Sequence, residues 1–123
     1  FEREEQWMKI VQEFTSPLVD FTGLEKYRGV LWQRQLHLFE VPFYYIEYGI
    51  AQLGAIGLWQ QYKKDPAAAL QNYLQALSLG GTRTLPQLFE AAALSFDFSG
   101  ARISQLMQFV KSELDQITLT TSS

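Results

Sequence analysis

Cysteine is absent from this 123-residue chain, and histidine occurs once, at His37. Without cysteine there is no disulfide framework, no thiolate zinc site, no iron–sulfur cluster and no Cys nucleophile. A catalytic zinc site takes about three protein ligands, commonly two or more of them His. The chain alone is therefore expected to bind no metal. Basic residues are in deficit: ten Lys plus Arg stand against 13 Asp plus Glu, a net charge of −3. No basic excess is present to neutralise phosphates, so no nucleic-acid partner is expected. Gly80-Gly81 lacks the following Gly-Lys-Ser/Thr of a phosphate-binding loop. Strand-type alternation never exceeds a few residues, and no repeat of fixed period is evident. The opening FEREEQWMKI lacks the apolar core of a secretory signal.

What the chain does have is a globular composition, 47% apolar and 19% charged, at a length that suits one domain. One run, VPFYYIEYGIAQLGAIGLW from Val41 to Trp59, is long enough to cross a bilayer. It carries Glu47 and Gln52 inside, and a mid-span carboxylate costs about 2.5–3.5 kcal/mol. Its tyrosines crowd at one end. A buried helix is the better reading, and no membrane partner is expected. The chain opens on Phe1 within a helical pattern and is expected to be a piece of something longer.

The periodicity predicts an all-α fold of about six helices around a long buried central one. Trp7, Ile10, Val11 and Phe14 mark a first helix that stops before Pro17. Thr22 and Glu25 fit a capping box that would open a second, with Leu24, Tyr27 and Leu31 on one face. Pro42 lies where a third helix can begin, running from Phe43 to about Lys64. Asp65-Pro66 restarts the chain as N-cap and first helical residue, followed by the stripe Leu70, Tyr73, Leu74 and Leu77. Thr84 and Gln87 fit another capping box before a short fifth helix. Ile103, Leu106, Met107, Val110, Leu114 and Ile117 mark the sixth. Residues 1–123 are expected as one helical body, with a polar tail at 118–123.

Chemistry concentrates between Arg34 and Trp59. The single histidine, His37, precedes a proline-marked helix start, and Tyr44, Tyr45 and Tyr48 follow. On a helix Tyr44 and Tyr48 would share a face. Tyrosines at such a place commonly pack at a core or rim. A His and a Tyr hydroxyl there can also donate hydrogen bonds to the oxyanion formed when water attacks a carbonyl. Glu40 and Glu47 could be taken for an acid/base pair, but Pro42 separates them, so a shared face cannot be assumed. Thr82 to Thr84 reads as a loop able to touch a peptide backbone.

The run H-x(5)-FYYIEYGIAQLGAIGLW, with the earlier EREEQW helix and the later Leu-Gly-Gly-Thr, resembles the C-terminal part of oligoendopeptidase F. That family of zinc metallopeptidases is related to thimet oligopeptidase and neurolysin. The resemblance covers most of the chain, and FYYIEY-x-x-AQ-x-x-A is its specific core. It implies a largely helical shell around a deep channel, zinc held by H-E-x-x-H and a downstream Glu, and a cytoplasmic enzyme that cuts short peptides. It also implies a later His and Tyr that steady the tetrahedral intermediate. His37 matches the His, and Tyr48 best matches the Tyr. Tyr44 and Tyr45 match neighbouring substrate-side aromatic positions, and which Tyr faces the substrate stays open. H-E-x-x-H is absent here, since HLFEV lacks the adjacent Glu and the second His. The zinc ligands are therefore expected upstream, in the remainder of a parent peptidase, and the chain alone is expected to be inactive. Self-association is expected to cover apolar surface left by that remainder. A different reading takes DPAAALQNYLQALSLG as one helix of a tetratricopeptide-type interaction module without chemistry.

Overall fold

The computed structural model describes the backbone of residues 2–121 and the side chains of residues 2–117. Among these the chain is all-α: α1 (Glu2–Phe14), α2 (Glu25–Arg28), α3 (His37–Glu40), α4 (Ile46–Lys64), α5 (Pro66–Ser78), α6 (Leu85–Ala91) and α7 (Gly100–Thr121). Two 3₁₀ turns, Leu31–Arg34 and Gly80–Thr82, complete the described elements. The chain divides into two compact units, Phe1–Tyr45 and Ile46–Ser123. No described helix is long and apolar enough to cross a membrane.

The first unit is tied by polar links more than by a core. Glu2, Glu4 and Glu5 fill the first turn of α1, where the helix dipole favours negative charge. The Trp7 indole N–H donates to the Arg28 carbonyl at 2.9 Å. The Arg28 guanidinium donates to the Thr15 hydroxyl at 2.6 Å and lies 4.5 Å from the Phe21 ring centroid. The predicted second helix is reduced to a single turn, α2, and its capping box does not form. Asp20 takes the Thr22 backbone N–H at 2.8 Å and the Thr22 hydroxyl at 2.6 Å, so Thr22 is committed to a local turn. Glu25 accepts from the Gly23 N–H at 3.1 Å, and Gly23 has φ +79°, open to glycine at little cost. The Thr22 hydroxyl and N–H hold the Asp20 carboxyl below its usual range, and backbone N–H groups do the same for Glu25. Each carboxylate favours this connector when ionised, and that contribution is lost as pH falls through the lowered values.

In the second unit α4 packs against both α5 and α7, and α5 packs against α6. The buried apolar residues are Ala69, Ala92 and Leu106, joined by Gly57 of α4. Glycine lets neighbours close in on α4. A Cβ on Gly54 would stand 2.9 Å from the Phe89 ring, and one on Gly57 would stand 3.1 Å from Leu94 Cδ2. Trp59 meets Phe109 edge-on at 4.8 Å, and Lys63 pairs with Glu113 at 2.7 Å. Phe96 of the connector before α7 meets Phe89 of α6 and Phe98 of the connector edge to face. Asp65 and Pro66 take the places foreseen for them, with the Asp65 carboxylate accepting from the Ala68 N–H at 3.1 Å. Thr84 and Gln87 also form their capping box.

Four expectations are corrected. The central helix begins at Ile46, not Phe43, and Pro42 lies in the turn before it. Nor is α4 a buried helix: Gly57 is its one buried residue, and Ile46, Tyr48, Trp59 and Tyr62 are exposed. On α5 the predicted core stripe faces the wrong way. The helix turns Ala69, Asn72 and Ala76 inward, because small residues let it approach α4 and α6 closely, and leaves Leu70, Leu74 and Leu77 exposed. Finally, α7 runs to Thr121, so 118–121 of the expected tail are helical. Residues 122 and 123 lie outside the described residues.

The Asp65 cap offers a direct test of this local order. Asp65→Ala leaves an N–H of the first turn of α5 without its acceptor and should cost about 1 kcal/mol. A lowered denaturation midpoint with an unchanged denaturant slope is the expected result.

Candidate functional site

The site begins with a single helical turn. In α3 the Val41 N–H donates to the His37 carbonyl at 3.2 Å, and Pro42 then blocks continuation. Val41 is driven out of the helical region, with φ −139° and ψ 73°. Phe43 adopts φ +68°, a left-handed conformation costly for a bulky side chain, and its ring is 95% exposed. The chain is thereby reversed, and the next two residues return onto His37.

The Tyr44 ring lies nearly parallel to the imidazole, with centroids 6.1 Å apart and planes 8° apart. The Tyr45 ring meets it edge-on at 5.3 Å and 74°. In the same unit, Trp32 and Phe39 form an aromatic pair with ring centroids 5.8 Å apart. His37 is half-buried, whereas Tyr44 and Tyr45 are exposed. The rings limit how the imidazole can tilt, and solvent reaches the tyrosines. This arrangement sets one imidazole and two phenols, all groups able to donate hydrogen bonds, side by side.

Of the predicted site residues, the structure brings together His37, Tyr44 and Tyr45. It does so by a reversed turn and not by a shared helical face, since Tyr44 and Tyr45 precede α4. Tyr48 lies in the first turn of α4, in the second unit, and is exposed. Glu40 belongs to the first unit and Glu47 to the second. The loop at Thr82 to Thr84 commits its polar groups internally. The Thr82 hydroxyl donates to the Leu79 carbonyl at 2.6 Å, Arg83 donates to the Thr82 carbonyl at 3.0 Å, and Thr84 caps α6.

Sequence reading missed the reversed turn at Phe43 and the Trp32–Phe39 ring pair. The only local signal for the turn was Pro42, which also suits a helix start. No group of three or more His, Cys, Asp or Glu side chains is placed to hold a metal among the described residues. No family model matches the chain, and neither does any curated protein or solved structure.

Proposed function

We propose that the chain is the C-terminal, substrate-channel portion of a cytoplasmic zinc-dependent endopeptidase that hydrolyses short peptides. The reading rests on the resemblance carried by the run from Phe43 to Trp59, which follows His37 in the sequence. The clustering of His37 with Tyr44 and Tyr45 supports it, because donors to an oxyanion must be held before the charge develops. The chain's own donor set does not fit zinc: it has one His, no Cys and no cluster of three ligands among the described residues. Metal ligands are thus assigned to the parent polypeptide upstream.

The roles left to this chain are hydrogen bonding and positioning. The resemblance gives His37 and Tyr48 each the role of a donor to the oxygen that becomes negative when the peptide carbonyl is attacked; His37 belongs to the first unit and Tyr48 to the second. Tyr44 and Tyr45 line the approach and keep the imidazole oriented. The parent reading frame should encode H-E-x-x-H upstream of Phe1, and peptide hydrolysis by the parent should vanish on chelation and return with zinc. The 123-residue chain should retain no zinc after dialysis. A parent without that motif, or with chelator-resistant hydrolysis, would refute the reading.

A further inference from the structure

Phe43 stands in a conformation that suits glycine. Val41, Pro42, Phe43 and Tyr44 form a reverse turn closed by the Tyr44 N–H, which donates to the Val41 carbonyl at 3.1 Å. Proline at the second position and a positive φ at the third, +68° at Phe43, are the pattern of a type II turn. Glycine fits that third position because it has no Cβ to meet the carbonyl that follows. A residue with a side chain is disfavoured there by a factor of about 5–30. The Phe43 ring does not offset this by packing, since the residue is 95% exposed. What the conformation does secure lies in the next two residues. Tyr44 and Tyr45 follow the turn directly, and both rings meet the imidazole of His37, with planes at 8° and 74° to it.

We infer that Phe43 is a positioning residue for His37, and that it acts through the left-handed sign of its backbone and not through its ring. His37 precedes the two tyrosines by seven and eight residues. On a continuous helix they would lie about 10–12 Å further along the axis, out of reach of the imidazole. Pro42 stops α3 from continuing, but proline alone leaves the direction of exit open. The sign of φ at Phe43 sets that direction. Moving it to the right-handed region, near −63°, rotates all that follows by about 130° about one bond. The Tyr44 N–H then leaves the Val41 carbonyl, and the two rings are carried away from His37. The side chain at position 43 is thus free to vary, provided that its backbone accepts a left-handed φ. His37 and all four turn residues belong to the first unit. The placement is therefore independent of the peptidase reading, and only its effect on a reaction rests on that reading.

His37 is the single histidine of the 123-residue chain, so its imidazole protons give one assignable pair of NMR signals. These should be displaced relative to a Tyr44→Leu, Tyr45→Leu double variant, which lacks both rings. Phe43→Gly and Phe43→Asn accept a left-handed φ and should keep the displacement although the Phe43 ring is gone. Phe43→Val should lose most of it, because a β-branched residue at positive φ is strongly disfavoured. Far-UV circular dichroism should match in all variants, which separates lost placement from lost folding. In the proposed parent, kcat should fall by up to about 100-fold in Phe43→Val and recover in Phe43→Gly. Loss of the displacement in Phe43→Gly overturns the inference, since the ring would then be the acting group. That arm decides even where Phe43→Val does not fold. Equal displacement in Phe43→Gly and Phe43→Val overturns it as well. Displacements in the expected order with an unchanged kcat uphold the placement by Phe43 and refute the peptidase role of His37.

Discussion

In the proposed parent peptidase, Tyr48→Phe is expected to lower kcat by about two to three decades while KM stays within a few-fold. The change deletes a hydroxyl and keeps the ring, so packing around the first turn of α4 is preserved. If that hydroxyl donates to the oxyanion, its hydrogen bond is stronger in the transition state than in the ground state, and the loss falls on kcat. His37→Ala should act in the same direction, with an added effect from the contacts that Tyr44 and Tyr45 lose. Zinc content should be unchanged in both variants, because neither residue is proposed as a ligand. Were Tyr48 only a packing residue, Tyr48→Phe would leave the rate alone and cost roughly 0.5–1.5 kcal/mol of stability for a lost hydrogen bond. A normal kcat would therefore remove Tyr48 from the mechanism. Tyr44→Phe and Tyr45→Phe would then be the variants to measure, since these two rings are the ones set against His37.

Local signals carried most of the helix boundaries. Asp65-Pro66 and Thr84…Gln87 were legible because each cap is completed within four residues and nothing distant competes for its atoms. Thr22…Glu25 has the same pattern, yet Asp20 lies two residues upstream and captures the threonine first. Pro42 was ambiguous in kind. Proline fits both a helix start and a reversed turn, and the difference lies in the φ of Phe43, which no propensity for a phenylalanine anticipates. The faces of α5 and α7 were harder still. Periodicity reports which residues are apolar on one side of a helix, not whether a neighbour covers that side. In α5 the close approach to α4 and α6 selected the alanine side, and the leucine stripe was left outward. The candidate site was legible as a set of residue types around His37. Its geometry was not, because the contacts to Tyr44 and Tyr45 follow from the turn and not from helical spacing.

Leu106→Ala should be the most damaging truncation in the second unit. Leu106 is 2% exposed and, among the described residues, is the only large apolar side chain in the buried core, the others being Ala69 and Ala92. Ile103, Phe109 and Val110 flank it on α7 and are only half-buried, so they cannot take over its role. Deleting a buried leucine side chain costs about 2–5 kcal/mol, from lost transfer energy and the cavity that remains. The surroundings here are open enough to relax, which favours a value of about 3 kcal/mol within that range. A unit of this size has roughly 4–12 kcal/mol of stability in total, so the loss is a large share of it. Urea unfolding followed by circular dichroism should show a midpoint far below that of the unsubstituted chain at the same chain concentration. Leu114→Ala makes the same chemical change further along α7, at a residue that is 58% exposed, and should stay within about 0.5 kcal/mol. If the two variants unfold at equal urea concentrations, Leu106 is not the centre of the core, and the packing of α7 on α4 must be redrawn.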